Sequence, residues 1–162
     1  MVRRLIEDGV AVFRLNFSHG TNEAHAAFLS TIRAVSAEMG RPVAVLGDLP
    51  GPKIRVGEVG GDGIEVANGD EVVFQRETIR AEPGASARPV FSCNFERLID
   101  DVRPGERLLV NDGAVRMLVV DRSADDITCR VTAGGLITSS KGINLPDTAL
   151  SLDPLTERDR EL

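Results

Sequence analysis

The sequence has no tryptophan and no tyrosine, and aromatic residues make up only 4% of it. Stacking on nucleic-acid bases needs such rings, so that class of function starts without its main device. Positive charge is short as well. The formal net charge is −6, which speaks against a general nucleic-acid or membrane-surface role. No apolar run is long enough to span a bilayer, and no basic-then-apolar leader opens the chain. The expected location is the cytoplasm. Two cysteines, Cys93 and Cys129, are too few for a disulfide framework or a zinc cluster. Cys129 falls in the apolar alternation Ile127, Cys129, Val131 and reads as a buried structural thiol. Lysine is scarce among the basic residues, with 2 against 17 arginines. Both of them, Lys53 and Lys141, lie inside motifs taken up below.

What is present is a chain of 162 residues with 42% hydrophobic content, enough for one ordinary domain or two small ones. It is organised around Val-Ala-Val-Phe-Arg-Leu-Asn-Phe-Ser-His-Gly at 10–20. The first half is short, apolar and β-branched, as a buried strand should be. Side chains alternate faces along a strand, so Arg14, Asn16 and Ser18 share the face of Val10 and Val12, while Ala11, Phe13 and Leu15 take the other. Apolar residues on both faces suit a parallel sheet covered by helices. The polar set stands at the carboxyl end, where α/β folds bind ligands.

Residues 2–8 read as the close of a helix, stopped by Asp8-Gly9. Thr21 or Asn22 caps the next one, whose apolar stripe is Ala24, Phe28, Ile32, Val35 and Met39. Gly40 and Pro42 end it. A second buried strand over 42–46 closes a β-α-β unit. The right-handed crossover makes its strands parallel and puts Ser18 and Asp48 at the same edge. Two prolines and a glycine at 49–52 then mark a hinge.

From Lys53 to about Pro146 the pattern is all-β. Strands are expected at 53–58, 63–67, 70–76, 88–92, 106–111, 114–120, 127–133 and 136–138, with turns between them at Asn68-Gly69, Asn111-Asp112-Gly113 and Gly134-Gly135. The polar stretch 77–87 reads as a surface loop, and Phe95, Leu98 and Ile99 as one helical turn. Thr156 followed by Asp159 signals a helix start. The expected fold class is therefore α/β plus all-β: a partial barrel β-α-β unit (1–51), an inserted small antiparallel β-barrel (52–147) and a return segment (148–162). A β-α-β unit alone leaves strand faces uncovered, so more of the machine is expected elsewhere.

At the strand edge, Arg14 offers a planar fork of donors suited to phosphate or carboxylate. Asn16, Ser18 and Asp48 offer oxygens suited to a hard cation. Together they read as an anion-plus-cation site for phosphoryl transfer. Each member also has a plainer reading. Arg14 reads equally as a surface charge paired with an acid, Asn16 and Ser18 as a turn, His19 and Asp48 as turn residues. Lys53 and Arg55 share one strand face, which could be merely solvated. Ser139-Ser140-Lys141-Gly142 could touch a phosphate through backbone N–H groups and the ammonium, but it lacks Walker spacing.

Five motifs occur in order: Arg14-Leu-Asn-Phe-Ser-His-Gly20, Asp48-Leu-Pro-Gly-Pro-Lys-Ile-Arg55, Asn111-Asp-Gly-Ala114, Ser140-Lys-Gly-Ile-Asn-Leu-Pro146 and Leu155-Thr-Glu-Arg-Asp159. In order and spacing, the chain resembles the pyruvate kinase family over essentially its whole length. The resemblance implies a partial (β/α)8 barrel interrupted by a lid domain. It also implies phosphoryl transfer between phosphoenolpyruvate and ADP, giving pyruvate and ATP, with K⁺ and Mg²⁺. Arg14 would bind the transferring phosphoryl group. Asn16, Ser18, Asp48 and the Leu49 carbonyl would hold K⁺. Asn16, Phe17, Ser18 and His19 would line the nucleotide side, and Arg55 and Lys141 would contact nucleotide phosphates. The lid would swing about Pro50 to Pro52 and a return strand near Pro146.

Three departures stand out: Leu49 where many members have threonine, Lys53 where some are acidic, and Asn111 where aspartate is common. The family's catalytic lysine and Mg²⁺ carboxylates are not among these residues, so turnover by this chain alone is not expected. Two other classes stay open: a non-catalytic nucleotide- or anion-binding module, and a β-barrel interaction domain that self-associates into a homo-oligomer.

Overall fold

Thr21 starts the longest helix. Its hydroxyl accepts the Ala24 N–H at 3.3 Å, which satisfies one of the orphan donors of a helix N-terminus. The computed structural model describes residues 1–162, and they form two compact units, Met1–Pro52 with Asp153–Leu162, and Lys53–Leu152.

In the first unit, α1 (Val2–Glu7) leads into β1 (Val12–Asn16), α2 (Asn22–Glu38) and β2 (Ala44–Asp48). The two strands are parallel, in register from Val12↔Ala44 to Asn16↔Asp48. The helices cover one sheet face. Val2, Ile6, Phe13, Leu15, Ile32 and Val43 form its core. Ile32, at 0% exposure, contributes roughly 1.5–3 kcal/mol by its burial. On the other face Val12 is 55% exposed and Leu46 53%. The chain leaves after Pro52 and returns to this unit at Asp153. There α3 (Glu157–Arg160) begins with a capping box of Thr156 and Asp159.

The second unit carries ten strands: β3 (Glu58–Val59), β4 (Ile64–Val66), β5 (Glu71–Gln75), β6 (Arg80–Ala81), β7 (Val90–Phe91), β8 (Arg107–Val110), β9 (Val115–Arg122), β10 (Asp126–Ala133), β11 (Gly135–Ile137) and β12 (Ile143–Asn144). Six of them form a sheet in the order β12-β8-β9-β10-β5-β7, and β11-β4 and β3-β6 form two small pairs. Most pairings are antiparallel, but β5/β7 and β3/β6 are parallel. Alternate residues of β9 and β10, such as Met117, Val119, Ile127 and Cys129, are buried. The core centres on Phe74 and Phe91, whose rings lie 5.5 Å apart. Burial pushes the Cys129 thiol up to about 12, so it stays protonated and inert. The β8–β9 turn needs a positive φ at Asn111, Asp112 and Gly113, which Asn, Asp and Gly adopt most readily.

Two expectations shift. The stretch 53–58 is not one strand: Arg55 and Val56 make single bridges, and β3 starts only at Glu58. The stretch 77–87 contains β6, held because the Ser92 hydroxyl donates to the Ile79 carbonyl at 3.0 Å and accepts its N–H at 3.1 Å. No helix is long and apolar enough to cross a membrane.

Candidate functional site

The parallel register sets Asn16 beside Asp48 and Arg14 beside Leu46 at one sheet edge. From there the Arg14 side chain reaches Asp48. Its Nε–H donates to Asp48 Oδ2 at 2.9 Å, and a terminal nitrogen donates to the same oxygen. The two side chains are 60% and 40% exposed. An exposed pair of this kind is worth only about 0–1 kcal/mol. It therefore orients the guanidinium while leaving it exchangeable for a doubly charged phosphate, to which Arg binds with two parallel hydrogen bonds.

Past β1 the chain turns tightly. Asn16 Oδ1 accepts the Ser18 N–H at 3.0 Å, an Asx turn. The Phe17 N–H donates to the Asp48 carbonyl at 3.0 Å and the His19 N–H to the Asn16 carbonyl at 3.2 Å. His25, on the first turn of α2, closes the loop from the other side. Its Nε2 donates to the His19 carbonyl at 2.8 Å, and its ring lies 4.5 Å from that of Phe17. Gly20 follows at φ +83, where a Cβ would come within 3.3 Å of His25 Nε2. His25 is a shaping residue that sequence reasoning passed over. Its one signal was a second histidine six residues after His19.

Two other expected residues lie in the second unit. Arg55 is opposite Gly142 in an antiparallel bridge. The Val56 N–H donates to the Lys141 carbonyl at 2.9 Å, the Ser140 N–H to the Val56 carbonyl at 3.0 Å, and the Ile143 N–H to the Ile54 carbonyl at 2.8 Å. Arg55 and Lys141, 86 positions apart in the sequence, are thus brought to neighbouring rungs. Arg55 is exposed and Lys141 half-buried. Its loop is pinned. The Ser139 hydroxyl accepts the Val59 N–H at 2.8 Å and donates to the Val59 carbonyl at 3.2 Å. Ser140 is left-handed at φ 62, a conformation that costs a non-glycine residue roughly 1–2 kcal/mol. Arg14, Asn16, Phe17, Ser18, His19, Asp48 and Leu49 belong to the first unit, and Arg55 and Lys141 to the second.

Comparison with known proteins gives one answer. The sequence model of the pyruvate kinase barrel domain matches residues 1–162. Pyruvate kinase 2 of Synechocystis sp. is 40% identical over 165 residues, covering 99% of this chain and 27% of its own length. The pyruvate kinase of Thermococcus litoralis is 37% identical over 161 residues, covering 99% and 33%. A crystal structure of a pyruvate kinase from Cryptosporidium parvum superposes with a TM-score of 0.86 at 29% identity, over 99% of this chain and 32% of that one. The chain spans about a third of the length of the curated relatives it matches.

Proposed function

The chain belongs to the pyruvate kinase family, and from that premise we propose that it supplies the phosphate and nucleotide half of a cytoplasmic phosphoryl-transfer site. The reaction moves the phosphoryl group of phosphoenolpyruvate to ADP, giving pyruvate and ATP. The observation that carries this reading is the Arg14–Asp48 pair at the shared edge of β1 and β2. Arg14 exchanges Asp48 for the transferring phosphoryl group and holds it while charge develops. Asn16, Phe17, Ser18 and His19 line the nucleotide side. Arg55 and Lys141 contact nucleotide phosphates, and the second unit acts as a lid that swings about Pro50–Pro52 and the return segment to exclude water.

Potassium is the second part of the proposal. Asn16, Ser18, Asp48 and the Leu49 carbonyl are hard oxygen donors, the right chemistry for a monovalent cation. Asp48 Oδ2 is already engaged by Arg14 and Asn16 Oδ1 by the Ser18 N–H. An ion would therefore share Asp48 with a guanidinium, which makes for weak binding. Mg²⁺ would be held by carboxylates outside these residues, and the 162 residues alone would not turn over.

Titration with ADP tests the reading, with wild type and Lys141→Ala compared by calorimetry. Binding by wild type, weakened at least fivefold in the variant, supports it. No binding by either removes the nucleotide half. A coupled assay with phosphoenolpyruvate, ADP, Mg²⁺ and K⁺ should give no turnover, and clear turnover would sink the claim of inactivity. A second reading, self-association, has the exposure of Val12 and Leu46 in its favour. A strict monomer in sedimentation would dismiss it.

A further inference from the structure

The motif at 155–159 starts a helix. In the structure its aspartate does more. The Asp159 side chain is one of two buried polar residues, at 6% exposure. Both carboxylate oxygens are used, on different stretches of chain. Oδ2 accepts the Thr156 N–H at 2.8 Å and the Thr156 hydroxyl at 2.6 Å. Oδ1 accepts the N–H of Gly51 at 3.2 Å, across 108 positions of sequence. These bonds hold the carboxyl below the usual carboxylate range, with the Thr156 hydroxyl as the largest cause.

Gly51 precedes Pro52, after which the chain departs for the second unit, and Thr156 follows just after its return at Asp153. The two stretches also run close at a second point, since a Cβ on Gly51 would lie 3.8 Å from the Pro154 carbonyl oxygen. Gly51 is itself left-handed, at φ +59, so its N–H direction is fixed by a conformation that few other residues adopt. Two peptide bonds upstream is Leu49, and before it Asp48, the partner of Arg14. A helix cap needs only the Thr156 half of these bonds. The Gly51 half ties the cap to the loop that carries the strand-edge site.

We propose that Asp159 is a positioning residue for that site. Its carboxylate clasps the outgoing and returning stretches together and so fixes the 48–51 loop against which Arg14 is oriented. This rests on reading the strand edge as a phosphate site. A carboxylate is required because both faces of the group meet donors. An amide of the same shape would turn its NH₂ on one of them and leave that donor unpaired when buried.

The test compares Asp159→Asn with Thr156→Ala, which removes the hydroxyl of the cap but keeps the bond to Gly51. Amide exchange at Gly51 is read by NMR, and titration with inorganic phosphate is followed at the Arg14 Nε–H resonance. Asp159→Asn should speed Gly51 exchange at least tenfold and weaken phosphate at least fivefold. Thr156→Ala should change each by less than threefold. Equal effects of the two variants would make Asp159 a helix cap only, and unchanged Gly51 exchange in Asp159→Asn would remove the clasp. If wild type itself ignores phosphate, the reading of the site falls and the positioning role falls with it, while Gly51 exchange still judges the clasp. Should Asp159→Asn fail to fold, Asp159→Ser (which keeps an acceptor for Thr156 but is too short for Gly51) takes its place with the same expected outcomes.

Discussion

The two units divide the work unequally. The second, Lys53–Leu152, gathers its buried residues in one continuous core that runs from Ile54 to Leu145. The first gathers only Val2, Ile6, Phe13, Leu15, Ile32 and Val43, all on one side of its sheet. Hydrophobic burial scales with area removed from water, so the second unit stabilises itself and the first does so only in part. Yet the first carries most of the candidate site. Its chemistry sits on the thinner scaffold, held by polar ties such as Asn16 to Ser18, His25 to His19 and Asp159 to Gly51.

The comparison breaks most sharply in the cores. Phe74 is fully buried, and Phe74→Ala should cost about 3–5 kcal/mol through lost transfer energy and a residual cavity. Val12→Ala, on the exposed face, should stay within about 0.5 kcal/mol. Urea unfolding of both variants measures the contrast, and similar costs would mean that the open face is covered in solution. Next in size is Arg14→Ala. It should weaken phosphate at least tenfold and leave the urea midpoint unchanged, because the ion pair it breaks is exposed. A shifted midpoint would make Arg14 part of the scaffold.

A smaller effect separates the units by pH. The Arg107 guanidinium and N–H hold Asp147 down to about 2, with Nε–H···Oδ2 at 2.8 Å and a terminal N–H···Oδ1 at 2.7 Å. A carboxyl depressed in the folded state binds fewer protons there than when unfolded. Its stabilisation is complete above the unfolded value of about 4 and is lost as pH falls toward 2. Unfolding of the second unit between pH 5 and pH 2 should show this loss, reduced in Asp147→Asn. An unchanged acid slope in that variant would show that other carboxylates dominate. The smallest expected effect is that of potassium. With Asp48 already shared, replacing Na⁺ by K⁺ should change phosphate affinity by less than twofold. A tenfold gain would show that the ion displaces Arg14 from Asp48.

Much of this was legible beforehand, for local reasons. Thr21, the Ile32 stripe and Gly40 announce α2 because caps and period are written in adjacent residues. Asn111-Asp112-Gly113 announces a turn because few other residues accept its backbone. The edge shared by Arg14 and Asp48 followed from handedness alone. What was hidden depends on distant partners. β6 lies in a polar stretch and exists because Ser92 reaches Ile79. The parallel pairing of Val73 with Val90 leaves no periodic trace. The sequence offered Arg14 either an anion or an acid partner without naming the acid, and the side-chain hydrogen bond across the strand edge makes that partner Asp48. Asp159 looked like a cap because its second partner lies 108 positions away.

The near contact of Gly51 with Pro154 has an engineering consequence. A segment whose two ends meet is a cassette. Joining ends this close costs little loop entropy, so replacing residues 53–152 by a short glycine turn between Pro52 and Asp153 is expected to leave both flanking stretches in place. The same geometry accepts a foreign domain in their place, provided that its own termini are adjacent. The fold thus offers a socket, and the Asp159 carboxylate is its latch.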